Sequence, residues 1–260
     1  MITPLFVAFP SSRWRSHVEA TWSYLQQHYE VTGNDDCGTH VHVSLEGGYS
    51  LDELKLVAQA ALHFEPSFEA LVPEARRYHS ECQSSWIDSH EFAIKGQSRA
   101  ESILIISRAT SFHTLLDLMQ PYNVRRYIWN FRSILKYYTI EFRKPPASKT
   151  ANEALAWAEL AISFVQTSIR YASPERLGQI PPTVGGLRWF LRQHHVPHLN
   201  EPNRLDWIWE GLDPNSFVEG TPLGGLRTPA ELAKIRRMSE SDKRRILRFI
   251  QSTREPYWQD

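Results

Sequence analysis

The sequence predicts an α+β fold, in which an antiparallel sheet carries helices on one face and leaves the other open as a concave polar floor. Three observations predict it. Residues 39–45, THVHVSL, alternate strictly, so in an extended chain His40, His42 and Ser44 share one side and Thr39, Val41, Val43 and Leu45 the other. Residues 138–143, YTIEFR, repeat the design, with Tyr138, Ile140 and Phe142 on one side and Thr139, Glu141 and Arg143 on the other. Much of the chain around and between them shows helical spacing instead. Two distant strands with one apolar and one armed side belong in a single sheet, apolar sides toward the helices.

The elements follow in order. Ser11 to Tyr29 places Trp14, Val18, Trp22, Leu25 and Tyr29 at helical spacing and reads as an amphipathic helix entered through a serine cap. The turn-like VTGNDDCG delivers the chain into the His strand. Ser50-Leu-Asp-Glu53 is a capping box opening a helix through Leu54, Val57, Ala61 and Leu62. A short helix ends at Pro73, with Arg76 and Arg77 just beyond, and a helical stretch runs from Glu101 through Met119. Residues from Arg126 are rich in aromatic and branched side chains and end in a strand closed by two prolines. Ala151 to Tyr171 is a long helix with Leu155, Ala158, Ile162 and Val165 as its buried stripe. After Ser173, proline, glycine and tryptophan intersperse short helical pieces, and a basic helix is expected over Ser241 to Thr253.

Composition sets the bounds. The 260 residues are 42% hydrophobic and 12% aromatic, enough for a substantial core. With 29 basic and 29 acidic residues there is no global field toward nucleic acid or an anionic membrane, so an anionic ligand needs a local cluster. Cys37 and Cys82 are too few for a disulfide scaffold or a cysteine zinc site. No signal peptide and no membrane-length apolar run is seen, so a cytoplasmic protein is expected. Walker A, GxGxxG, GxSxG and HExxH motifs are missing, which removes the commonest nucleotide and hydrolase folds but not nucleotide binding on a sheet.

The armed sides carry the candidate chemistry. His40 and Glu141 are a ligand pair for a divalent metal, Arg143 offers a planar fork to a phosphate or carboxylate oxygen, and His42 adds a donor. These are parts for phosphoryl transfer, where positioning and charge neutralisation dominate. The same residues have plainer uses. An HxH pair on a strand commonly faces solvent, a Glu-x-Arg is commonly a surface ion pair, and Arg76 and Arg77 can be a solvated corner. The HHVPH tract at 194–198 resembles a metal tract but lacks a carboxylate-rich strand nearby.

Taken in order, CGTHVHVS, LVPEARRYHSECQ, RYIWNF and YTIEFRKP resemble the motif series of an amidoligase family common in fungi and bacteria and related to glutamine synthetase and glutamate-cysteine ligase. The resemblance covers roughly residues 12 to 172. It implies a curved antiparallel sheet, a reduced glutamine synthetase-like catalytic domain over residues 1–172, with 173–260 a helical extension packed on it. It also implies ATP with magnesium or manganese, and an amide or isopeptide bond formed through an acyl phosphate. Carried onto this chain, His40 and Glu141 become metal ligands. His42, Ser44 and Arg77 meet the nucleotide, Arg143 holds the transferring phosphoryl group, and Arg76 meets phosphate or a substrate carboxylate. Asn130 matches a family Asn ahead of the second strand. The chain departs from the pattern at its start. The family carries a Glu-x-Glu strand before the first helix, whereas MITPLFVAF has no acidic residue and Glu19 falls inside the predicted helix.

The leading expectation is an ATP-dependent carboxylate–amine ligase. The departure motivates a second, an ATP-independent cyclase or isomerase of secondary metabolism working without cofactor through the His, Glu and Arg face, and a third, a non-catalytic binding relic. The expected partners are a small-molecule carboxylate or amine, with no nucleic acid and no membrane, and a homodimer formed through an exposed edge strand.

Overall fold

The apolar sides of the two alternating strands meet over one long helix. A computed structural model describes residues 3, 5–8, 12–34, 37–79, 81–87, 89, 91–120, 125–193 and 204–220. Along the chain come α1 (Trp14–His28), β1 (Val41–Val43), α2 (Leu51–His63), α3 (Glu65–Ala70), α4 (Arg99–Ser107) and α5 (Phe112–Met119). They are followed by β2 (Trp129–Asn130), α6 (Ile134–Tyr137), β3 (Ile140–Phe142), α7 (Ala151–Tyr171), α8 (Pro174–Leu177), α9 (Val184–Arg192) and α10 (Leu205–Trp209). This is a mixed helical and small antiparallel-sheet architecture, α+β as expected.

The strands are ordered β1-β3-β2, so β3 is central. Its register sets His42 opposite Glu141 on one side and Asn130 opposite Glu141 on the other. Alternation then sends Val43, Ile140, Phe142 and Trp129 to the opposite face, where all four are buried. Trp129 stacks on Phe142 at 4.4 Å and on Phe164 of α7 at 5.0 Å between ring centroids. Phe68 of α3 closes the cluster against Phe142 at 5.3 Å and Phe164 at 5.1 Å. Each such ring contributes about 1.5–3 kcal/mol by leaving water.

Local signals account for the helix starts. Ser50 and Glu53 form the predicted capping box, and Leu54, Val57, Ala61 and Leu62 are buried. Four readings are corrected. Arg13, not a serine, precedes α1 and makes no side-chain cap; the helix is held by buried Trp14 and Trp22 and by Arg15 Nε bonded to Glu159 Oε1 at 2.6 Å. The stretch to Met119 is two helices, because Ser98 and Ser111 each cap a fresh start. The α7 stripe is wider than predicted, since α1, α2, α9, α10 and β1 all pack on it; Ala158 and Ile162 lie at its margin while Leu160, Phe164 and Ser168 are fully buried. Tyr138 does not face the core. It ends α6 in the left-handed region at φ 57° and is 75% exposed, so the β3 alternation begins only after it.

The described residues beyond 173 continue the same core. Leu177, Leu187, Phe190, Leu205 and Ile208 are buried in one cluster with Phe64 and Phe164, and Phe64 meets Phe190 at 4.9 Å. The helix expected over 241–253 and the 194–198 tract lie outside the described residues. Among the described residues no helix is long and apolar enough to cross a membrane.

His63, at the end of α2, ties this later segment down by donating Nε2–H to the Ile180 carbonyl at 2.9 Å. Burial, assisted by Arg99 and opposed by that bond, pushes its pKa from 6.5 down to about 4. A histidine whose folded pKa is depressed contributes stability that is present above pH 6.5 and lost as pH falls toward 4, about 3 kcal/mol over that window. Urea unfolding of wild type and His63→Gln at pH 7.5 and 4.5 is expected to show the wild type losing more stability on acidification. Equal losses would remove His63 from the account.

Candidate functional site

Glu141 stands at the centre of the polar side of the sheet, where four side chains converge on it and a fifth acts through one of them. Asn130 on β2 donates Nδ2–H to Oε2 at 2.6 Å. On the other oxygen, Arg143 donates Nη1–H to Oε1 at 2.7 Å, and His40 Nδ1 lies 3.0 Å from Oε1. An ionised carboxylate can only accept, so His40 is read as the tautomer that donates Nδ1–H to it. His42 Nε2 lies farther away, 3.7 Å from Oε1. The fifth is Gln120, which acts through Asn130: its Nε2–H reaches Asn130 Oδ1 at 3.1 Å, orienting the amide whose other end holds the carboxylate.

The strands explain why these residues meet. Extending the β1–β3 register two residues past His42 and Glu141 sets His40 opposite Arg143, whose Nη1 lies 3.3 Å from His40 Nδ1. Two residues the other way set exposed Ser44 opposite Thr139. His42 Nδ1 is engaged at 2.8 Å by the Thr139 hydroxyl and at 3.3 Å by that of Ser133, and the two hydroxyls are 3.0 Å apart.

Burial works to raise the pKa of Glu141, but the bond from His40, the Arg143 cation, the Asn130 amide and nearby His42 outweigh it and hold it down at about 2. Burial pushes His42 the other way from protonation: its pKa is lowered, with Glu141 opposing and His40 and Arg143 assisting. At neutral pH the face therefore pairs a fixed carboxylate with a neutral imidazole that is about 39% exposed.

His40, His42, Glu141 and Arg143 are brought together as the sequence suggested. Arg76 is placed differently. It is 2% exposed and donates Nη2–H to the Arg143 carbonyl at 3.1 Å and Nε–H to that of Lys144 at 3.4 Å. Gly38 leaves room for the same contact, since a Cβ there would displace the Arg76 guanidinium. Arg77 donates Nε–H to the Val72 carbonyl at 3.3 Å, at the end of α3. Sequence reasoning missed Ser133 and Gln120, and left Asn130 without a role. The turn at Phe131–Ser133 that swings Ser133 under His42 has no local signature.

Behind the face lies Lys144, fully buried, with Nζ 2.6 Å from Glu69 Oε2 and 2.9 Å from the Arg76 carbonyl. Burial raises the Glu69 pKa and Lys144 opposes the rise.

The expected metal pair does not fit a resident divalent ion. Glu141 Oε1 is already neutralised by Arg143 and bonded by His40, and Oε2 by Asn130. Among the described residues no three His, Cys, Asp or Glu side chains are set to hold a metal. Hard ions take about six oxygen ligands, and magnesium generally arrives with phosphates and water rather than in an all-protein cage. Cavities of about 470 and 550 Å³ lie away from this face, lined by residues such as Arg188 and Arg204 in one and His63 and Arg99 in the other. If the donor set around Glu141 is as described, Asn130→Ala raises the Glu141 pKa by about one unit or more, read by carboxyl-carbon NMR titration. An unchanged titration would contradict the bond.

Residues 7–165 match the family model described as putative amidoligase enzyme. No curated protein and no solved structure matches the chain. The family match takes in β1, β2 and β3 and every residue gathered on Glu141, and the chain belongs to this amidoligase family of ligase-type enzymes.

Proposed function

We propose that the protein is a carboxylate–amine ligase that forms an amide or isopeptide bond with ATP on the open face around Glu141, with the glutamine synthetase-like fold that this reading carries. The observation behind it is the convergence of Arg143, His40, His42 and Asn130 on one carboxylate within the segment matched to the family. In the reaction a substrate carboxylate oxygen attacks the γ-phosphorus, the bond to ADP breaks, and an acyl phosphate forms. The amine nitrogen then attacks the acyl carbon and phosphate leaves, with one proton released from the nitrogen. Magnesium or manganese enters as part of the nucleotide substrate.

The chain's own residues bind and orient. Arg143 keeps Nη1 on Glu141 and Nε on the Glu81 carbonyl at 3.3 Å, which directs the remaining edge of the guanidinium to an incoming phosphoryl or carboxylate oxygen. Glu141 fixes that orientation and the His40 tautomer. Neutral His42 is suited to take the proton of the attacking amine, since a base must be unprotonated at working pH. The same property favours a second reading, a nucleotide-independent acid–base catalyst on the same face.

Titration calorimetry of MgATP and MnATP into the full chain separates the two. Micromolar, metal-dependent binding is expected, weakened about tenfold or more in Glu141→Ala, the scale of one charged hydrogen bond. Absence of saturable binding with either ion would sink the ligase reading. Conversion of a substrate in the presence of chelator, abolished by His42→Ala, would establish the second.

A further inference from the structure

The connection between β2 and β3 presents Leu135, Lys136, Tyr137 and Tyr138 to solvent in succession, immediately beside His42. Leu135 is 58% exposed, Tyr137 51% and Tyr138 75%. Ile134 alone of α6 packs against the core, so core packing does not account for exposed Leu135 and Tyr137. The turn also holds Tyr138 in the left-handed region at φ 57°, where a bulky residue is disfavoured and glycine or asparagine is the usual occupant. Exposed aromatic area and an unfavourable backbone conformation in one turn mark a surface shaped by something other than folding.

Its surroundings say what chemistry it suits. The Tyr137 ring lies 5.8 Å from that of His42, edge to face, so it borders the Glu141 face directly. Lys136 Nζ sits 5.1 Å from the centre of the Tyr137 ring. On the other side of His42, Arg143 and His40 surround the single carboxylate of Glu141. The face thus offers the Arg143 guanidinium at one end and an aromatic step with Lys136 beside it at the other, with neutral His42 between.

We propose that the Leu135–Tyr138 turn is an aromatic subsite that takes the planar ring of an anionic small molecule whose charged group is held at Arg143. The shared ligand chemistry is a π-face joined to an anion, supplied either by a nucleotide or by an aryl carboxylate. The inference rests on the reading of the Glu141 face as a ligand site and adds the class of ligand it selects. Stacking on an aromatic side chain is tolerant of ring identity, which leaves the choice between the two sources to the anion end.

Calorimetric titration of the full chain uses two matched pairs, ATP against inorganic tripolyphosphate, both with magnesium, and indole-3-acetate against acetate. In at least one pair the ring-bearing member is expected to bind about tenfold or more tightly, the range of one base stacked on one aromatic side chain. Tyr137→Ala is expected to erase that preference and Tyr137→Phe to keep it. Preference in the first pair identifies a nucleotide, and in the second an aryl acid. Failure of ATP and tripolyphosphate alone overturns the ligase reading and leaves the aryl pair to decide the subsite. Equal binding within both pairs, a preference that survives Tyr137→Ala, or no binding by any of the four overturns the subsite. So does a dimer in sedimentation that Tyr138→Ser dissociates, because the patch would then be covered by a second copy.

Discussion

Glu141 carries a charge in the middle of a sheet whose other side is a packed aromatic core, and the arrangement around it exists to keep that charge tolerable. A carboxylate that is only about 8% exposed is costly unless both oxygens are bonded. Here each of the three strands, with the residues at its ends, contributes to the compensation: β2 through Asn130, the approach to β1 through His40, and the exit of β3 through Arg143. The bonds that stabilise the charge are also what orient the site. Removing one donor changes both the ionisation of Glu141 and the direction in which the remaining donors point.

The short strands do not hold this geometry alone. Three residues of β3 could twist or slip, and a slip of one residue would send Glu141 into the core and Phe142 to water. The stacked rings of Trp129, Phe142 and Phe164 oppose that slip from below. From behind, Arg76 bonds the carbonyls of residues 143 and 144, while Lys144 bonds back to the Arg76 carbonyl and to Glu69. Breaking a buried pair such as Lys144 and Glu69 typically costs about 3–5 kcal/mol. Arg76 is therefore a positioning residue. It sets where the Arg143 side chain begins, and its guanidinium fills the space that Gly38 leaves open on the path to His40.

How much of this was legible depended on the range of the signal. The period-two alternation of THVHVSL and TIEFR is a rigid rule, so the four face residues and their apolar counterparts could be read from sequence. Capping boxes are equally local, and the one at Ser50 was readable as written. Tyr138, Ser133 and Gln120 were not, because residues 131–138 form a tight turn and a four-residue helix whose direction is settled by contact with β1 and α5. Arg76 was misplaced for a related reason: its partners are backbone carbonyls of a strand far along the chain, and sequence does not display carbonyls. The α7 stripe was too narrow because a helix packed on several sides buries more than one face.

The saturation of Glu141 also limits what the open face can recognise. With both oxygens engaged, that carboxylate has little left for an incoming cation, so selectivity falls to the groups that surround it. Those are the outer edge of Arg143, neutral His42, and beyond them Lys136 and Tyr137. Such a set favours an anion over a cation and a polar head with an adjoining ring over a bare ion. Solvent reaches His40 and His42, and water weakens electrostatic contacts, so a bound ligand must supply part of its own shielding. A flat ring laid on Tyr137 would cover the His42 edge of the face and lower the local dielectric where the charges meet, linking recognition of the ring to the strength of the contacts at Arg143.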